Sequence, residues 1–248
     1  MLAVVLRLDA PWMSFGGVLV DHYGFTERFP GHAMLAGLLG NALGYDHADA
    51  PLLQELQDRL VYAARWDAIP ATVLDYQTVD LGQPKMRYKG WTTFGIPDER
   101  KGGPASKGTH QRFRHYLEDG LLTIVLRLEG DVPPRTEDLP GALRRPARPL
   151  FLGRKACLPA RPLLDPVSPI VEAGSLVEAL ARIPAWNRDG SRGREARLLA
   201  CWPEEEGREP VPGSRGERRV VFDRREWRSQ LPAGSTCRYE GYLALEAR

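Results

Sequence analysis

Hydrophobic and polar residues alternate over residues 2–9, with Leu2, Val4, Leu6 and Leu8 on one side and Arg7 and Asp9 on the other. That period of two predicts a strand with one buried face. A near copy follows much later, IVLRLE from Ile124 beside VVLRLD from Val4, and predicts a strand in an equivalent place of the same sheet. One echo of six residues is too short for a repeat architecture. Residues 11–30 break the alternation with prolines and the adjacent Gly16 and Gly17, so they form a long connection. Over residues 31–44, Leu35, Leu38, Leu39 and Ala42 recur at helical spacing, while Ala33, Gly37, Gly40 and Gly44 make a second, very small face. Glycine inside a helix costs about 1 kcal/mol against alanine, and close approach of another backbone is the expected offset. Gly44 suits the left-handed position that ends a helix.

Further along, the pattern predicts a short helix over 52–60, strands over 60–66 and 72–79, a strong strand over 121–128 and a helical turn over 135–143. Ser175 and Glu178 are placed as a cap for a helix over 175–183. Strands over 197–202, 218–222 and 237–245 finish the chain, separated by charged loops. Glu204, Glu205 and Glu206 read as one such solvated loop. Strands and helices intermixed, with a strand-rich second half, predict an α+β fold rather than a doubly wound sheet.

Charge changes the picture at one place. Residues 81–116 hold Lys85, Arg87, Lys89, Arg100, Lys101, Lys107, Arg112 and Arg114 against Asp98 and Glu99, a local charge of +6. The whole chain is only +2, so the remainder is −4. Concentrated cationic charge is what holding phosphates requires. Tyr88, Trp91, Phe94, Phe113 and Tyr116 lie among these cations as flat surfaces for unpaired bases. Glycines and prolines through the stretch forbid one long regular element, so it reads as an extended arm with an irregular tip.

Composition is otherwise ordinary for a globular chain of 248 residues, 43% hydrophobic and 27% charged. No apolar run approaches the roughly 20 residues of a membrane span, and the first residues lack the basic leader of a secretory signal. Cys157, Cys201 and Cys237 lie far apart, which argues for a reducing compartment, the cytoplasm, and against a disulfide framework or zinc site. Phosphate-loop, dinucleotide, nucleophile-elbow and zincin motifs are absent, and no cofactor is called for. His22, His32, His47, His110 and His115 have no metal-ligand spacing. An acid–base role in cutting RNA for His22, Tyr23 or His115 with a nearby lysine is the enzymatic alternative. Gly153, Arg154 and Lys155 offer a close-approach glycine beside two cations, a second place for a phosphate.

Several stretches together resemble the CasD family, the fifth family of Cas proteins, which belongs to the subtype I-E CRISPR surveillance complex Cascade. They run in the family's order: the first strand with PWMSFGG, then GFTERFPGHAMLAGLLGNALG, LDYQTV, QRFRHYLEDGLLTIVLRL and PLFLGRKACLPARPLL, with REWR at Arg225 to Arg228 as a weaker anchor. The resemblance covers most of the first 165 residues. It implies a ferredoxin-like, RRM-related fold of the RAMP superfamily, with the basic arm as an inserted β-hairpin thumb and a β-rich C-terminal portion. The expected division is an RNA-binding domain over 1–148, with its thumb at 81–116, and an extension over 149–248 packed on it.

The resemblance also implies a biological role. A member of this family caps the 5′ handle of the CRISPR RNA while contacting the backbone subunit CasC and the large subunit CasA, with target DNA reached through the complex and no membrane involved. Subtype I-E members do not process the RNA, whereas relatives in subtype I-C do. On this reading Lys85, Arg87, Lys89, Lys107, Arg112 and Arg114 neutralise phosphates, Arg154 and Lys155 approach from the other side, and Phe15, Trp91 and Tyr116 stack on bases. One departure stands out. Where the family usually has Thr, a basic residue and Ser at the helix start, this chain has Gly31, His32 and Ala33. Backbone donors then remain for a phosphate, with His32 or Arg28 as the neighbouring cation.

Overall fold

The computed structural model describes residues 1–17, 22–80, 90–91, 97–98, 109–191, 193 and 196–246. The chain opens on β1 (Leu2–Asp9), then β2 (Trp12–Met13) and β3 (Tyr23–Gly24) within the long connection. The helices α1 (His32–Leu43) and α2 (Ala50–Arg59) follow, and lead into β4 (Leu60–Ala68). Then come β5 (Ala71–Asp80), β6 (Gly90–Trp91), β7 (Pro97–Asp98), β8 (Thr109–Glu118) and β9 (Leu121–Leu128). After α3 (Leu139–Arg144), β10 (Ile170–Glu172) and α4 (Leu176–Arg182), the chain ends in β11 (Arg197–Pro203), β12 (Arg215–Val221), β13 (Arg225–Glu226), β14 (Leu231–Pro232) and β15 (Thr236–Ala244).

Seven strands form one antiparallel sheet in the order β10-β1-β9-β4-β11-β15-β12. The two echoing strands are direct neighbours, Val4 opposite Leu126 through Asp9 opposite Leu121. β1 and β4 both run antiparallel to β9 between them, so α1 and α2 form the crossover of two parallel strands. Strands from both halves of the chain share the sheet, β10 on one edge and β11, β15 and β12 on the other.

Both faces are covered. Val4, Leu6 and Leu8 pack with Ile124, Leu126 and Trp66 under Leu35 and Leu39 of α1, Leu56 of α2 and Leu139 of α3. Ala3, Val5, Ala63 and Val125 on the other face pack under Leu176, Val177 and Leu180 of α4. Ser175 caps α4 by accepting from the Glu178 amide at 3.1 Å. Glu206 also serves this helix, contrary to the solvated loop expected: its carboxylate accepts from the Leu176 and Val177 amides at 2.8 and 3.0 Å. The small face of α1 meets side chains rather than another backbone. A Cβ at Gly40 falls 2.5 Å from Leu53, and one at Gly37 lies 3.4 Å from Trp227.

Alternation in β1 predicts Arg7 and Asp9 on a polar face, and that face is not solvent. Arg7 and Asp9 are buried on the α4 side of the sheet, in line with Thr123 and Arg65 across β9 and β4. Asp67 collects both guanidinium groups, Arg7 at 2.9 Å and Arg65 at 2.8 Å, and accepts from the Thr123 hydroxyl. Arg7 also reaches Asp165 at 2.6 Å, and Asp9 takes Arg161 at 2.9 Å and Arg188 at 3.1 Å. Burial pulls the Arg65 guanidinium below its ordinary value, with Asp67 working against it. Removing one partner from such a network strands a buried charge. We therefore expect Asp67→Ala to lower unfolding stability by about 3–5 kcal/mol in urea titrations. Glu55→Ala, which breaks a helical ion pair at the surface (3.2 Å from Arg59), should cost about 0.5 kcal/mol or less. Equal losses would contradict the network's role.

Candidate nucleic-acid interface

The base of the basic arm is a hairpin of β5 and β8, paired in register from Ala71 opposite Glu118 to Asp80 opposite Thr109. Ten paired residues carry the arm about 30 Å from the turn at its root. The other edge of β8 is held by β2 at Leu117 and Glu118 and, in parallel, by β3 at Phe113 and Arg114. Lys85, Arg87, Lys89 and Lys107 lie outside the described residues, as does the side chain of Trp91.

Alternation gives β8 two faces of different chemistry. Arg112, Arg114 and Tyr116 project to one side, and Phe113 and His115 to the other. The Gly153–Lys155 turn joins the first side. The Arg154 guanidinium lies over the Tyr116 ring at 4.8 Å and donates to the carbonyls of His115 at 2.9 Å and Gly24 at 3.0 Å. One side chain thus ties the turn to β8 and to β3 at once. Gly153 has φ +101°, and a Cβ there would sit 1.5 Å from the Ser14 carbonyl oxygen. Its close approach is to the backbone of Ser14, not to a ligand. Lys155 is exposed and, among the described residues, has no hydrogen bond or ion pair.

Beside this turn opens a cleft of about 620 Å³ with Ala33, Met34 and Gly37 of α1, Phe151, Lys155 and Arg225 in its lining. The helix start in this cleft is already capped. Asp223 Oδ2 accepts from the His32 amide at 3.0 Å and pairs with its ring at 2.8 Å, and the Asp223 carbonyl accepts from the Ala33 amide at 2.9 Å. Gly31 permits this, since a Cβ would lie 2.6 Å from that of Asp223. The expectation that these amides stand ready for a phosphate is therefore corrected: a carboxylate from residue 223 already holds the place. Arg28 is exposed but lines a different hollow, with Arg197, Arg215 and Arg219, and not the cleft.

Two rings expected to stack on bases are in the core instead. Phe15 is buried and stacks on Trp66 at 6.0 Å. Tyr116 is buried between Trp12, at 4.8 Å, and the Arg154 guanidinium, so neither ring face is open. The exposed rings are on the opposite face of the hairpin. Phe113 packs with Tyr23 at 5.1 Å and Tyr76 at 5.0 Å, and Phe25 stacks on His115 at 5.2 Å. Tyr23, Phe25 and Tyr76 are 39%, 46% and 51% exposed. The period-two spacing of Tyr23 with Phe25 and of Phe113 with His115 carried this signal, but the connection that holds the first pair gives no sign of pairing in parallel with β8. His22 joins the cluster 4.3 Å from the Tyr23 ring. His22, Tyr23 and His115, the enzymatic candidates, thus meet on one face through ring contacts.

Among the described residues no three His, Cys, Asp or Glu side chains converge as metal ligands, and no helix is long and apolar enough to cross a membrane. Burial pushes the Cys201 thiol up to about 12, so this cysteine stays protonated.

A family model described as CRISPR-associated protein (Cas_Cas5) matches residues 3–234. The CRISPR system Cascade subunit CasD of Escherichia coli (strain K12) is 30% identical over 160 residues, 64% of this chain and 68% of that one. A chain of a CRISPR RNA-guided surveillance complex superposes with a TM-score of 0.65 at 22% identity, covering 99% of this chain and 90% of the other. A Cas protein crystal structure superposes with a TM-score of 0.60 at 26% identity, covering 98% and 95%.

The cap on α1 has a pH signature. Burial by itself would raise the Asp223 carboxyl, but the His32 ring and amide and the Thr236 hydroxyl outweigh it and hold the group below its ordinary value. A depressed carboxyl contributes stability above its unfolded value and loses it as pH falls through the folded one. The stability advantage over Asp223→Asn should be complete at about pH 5 and shrink as the pH is lowered through about 4 towards 2. Urea titrations across that range check it, and an advantage that grows on acidification would contradict the cap.

Proposed function

The chain belongs to the CRISPR-associated Cas5 family, and on that premise we propose that it is the subunit of an RNA-guided surveillance complex that caps the 5′ handle of the CRISPR RNA. One observation carries this reading: Arg154 fastens the glycine–arginine–lysine turn onto the face of β8 that bears Arg112 and Arg114. Cations from distant parts of the chain thereby border one surface beside the α1 cleft. Lys155, Arg112 and Arg114 neutralise phosphates there, and Lys85, Arg87, Lys89 and Lys107, which lie outside the described residues, are further phosphate partners. Arg154 spends its donors on carbonyls and acts by positioning its neighbour.

We read β1, the α1–α2 crossover, β4, β9 and β10, in spatial order β10-β1-β9-β4, as a ferredoxin-like unit of the RAMP superfamily. The arm is its thumb, and residues 149–248 are the β-rich extension. The exposed rings of Tyr23, Phe25 and Tyr76, packed around Phe113, lie on the side of the hairpin away from Arg112 and Arg114. Aromatic patches poor in charge are favoured at interface cores, so this face meets a neighbouring subunit, CasC or CasA, while the opposite face holds RNA. The subunit grips and does not cut; His22, Tyr23 and His115 pack against rings rather than converge on a bond.

Binding of repeat-derived single-stranded RNA by the purified chain tests this. The logarithm of affinity should fall with that of salt by about 0.7 per neutralised phosphate. Lys155→Ala and Arg114→Ala should each weaken binding several-fold and reduce that slope by about 0.7. Tyr76→Ser with Phe25→Ser should leave RNA affinity within about twofold yet abolish co-purification with the backbone subunit. Unchanged slopes in the two cation variants would overturn the assignment. Specific cleavage of the RNA in EDTA would establish the endoribonuclease alternative.

A further inference from the structure

β11, β15 and β12 carry the main sheet beyond β4, and on the side that α1, α2 and α3 cover elsewhere Arg197, Arg215, Glu217, Arg219 and Tyr242 are exposed, while Cys201 and Arg238 are buried. Register places Arg215 opposite Tyr242, Glu217 opposite Glu240 and Arg219 opposite Arg238, with Leu199 across from Tyr242 on the other edge of β15. Apart from Arg238, these side chains together with Arg28 and Arg197 surround a hollow of about 420 Å³ that shares no lining residue with the α1 cleft.

Many of this protein's arginines are paired with carboxylates. Arg7 and Arg65 share Asp67, Arg161 and Arg188 share Asp9, Arg218 takes Glu204, and Arg224 takes Asp58. Among the described residues Arg144, Arg145 and Arg208 are exposed without such a partner, but only around the hollow do four such arginines line one place. Arg28, Arg197, Arg215 and Arg219 are all exposed, and among the described residues their side chains have no ion pair or hydrogen bond. Of the two acids in the lining, Glu240 is already held by Arg238 at 2.6 and 2.9 Å, which leaves only Glu217 to offset four guanidinium groups. Like charges gathered without counter-charge repel one another, and a docking polyanion relieves that repulsion.

We propose that this hollow is a second nucleic-acid contact, which takes the phosphodiester backbone of a strand other than the segment gripped beside α1. Spacing suits a chain of phosphates: Arg215 and Arg219 are four residues apart on β12, about 13 Å, so each can take a different phosphate. Guanidinium forks match phosphate oxygens two at a time. Tyr242, 56% exposed, supplies a ring beside them. The two sources of that chemistry, further guide RNA and target DNA, are separated by experiment.

The full-length chain is titrated at several salt concentrations with three labelled probes: a handle-length RNA of about 8 nucleotides, a single-stranded RNA of about 30 and a DNA duplex of about 30 base pairs. Combined Arg197→Ala, Arg215→Ala and Arg219→Ala should leave the short RNA within about twofold and weaken at least one long probe about tenfold or more, with the single-strand salt slope reduced by about 2. Loss confined to the long RNA identifies guide RNA, and loss on the duplex identifies target DNA. The corresponding triple lysine variant should restore the slope. If the alanine variant melts early, Arg28→Ala with Arg219→Ala gives the same readout, with a slope change of about 1.4. Wild-type binding of both long probes by the variants would overturn the proposal, and is the outcome expected if an acidic protein segment occupies the hollow. Lys155→Ala weakens the short RNA, which the arginine variants leave unchanged, so the two assignments fail independently.

Discussion

The placement of Arg154 is the constraint on which the candidate interface depends. A hairpin joined to the body only through its ends could lean in many directions. Here one guanidinium, donating to carbonyls on β8 and β3 while covering Tyr116, fixes the arm's root against the turn that carries Lys155. Hydrogen bonds from a charged donor are among the stronger ones a protein makes, and the planar fork makes two at once. The turn is in turn fixed by Gly153, whose left-handed backbone lets it lie against Ser14. Sequence segments near 14, 24, 115 and 154 are thereby locked together, with Arg154 and Lys155 in the lining of the α1 cleft.

Charge in this molecule is used in two distinct ways. Beneath α4, arginines are buried and each is matched by a carboxylate, which fixes how strands and loops pack at a large desolvation cost. At Lys155 and around the far hollow, cations are left exposed. Position in the sequence alone does not tell these two uses apart. Arg7 and Arg127 occupy the same place in the echoing LRL strings, yet Arg7 is buried in the network and Arg127 reaches Glu129 at the surface.

Periodicity made much of the fold legible. β1, β9 and α1 were readable within a residue or so because each buries one regular stripe, whereas most of the basic arm, marked in the sequence by its charge, lies outside the described residues. The family resemblance was likewise carried by segments whose order survives in the fold. What stayed hidden depends on contacts distant in sequence. Nothing near Gly31 announces that Asp223, 191 residues on from His32, caps the helix. An alternating strand cannot reveal that its polar side faces buried carboxylates rather than water. Phe15 and Tyr116 look like base platforms until Trp66, Trp12 and Arg154 close over them. Conversely, Tyr23 and Phe25 are spaced as on a strand, but nothing in the connection that holds them shows that β3 pairs with β8, so the aromatic face it completes stayed hidden.

The central claim, that Arg154 works by geometry and not by adding charge, is tested most directly by the RNA affinity of Arg154→Lys. Lysine keeps the positive charge but has no planar fork to span the two carbonyls. The predicted result is a loss of about tenfold or more in affinity, about 1.4 kcal/mol, with the salt dependence of binding unchanged. Wild-type affinity in that variant would contradict it.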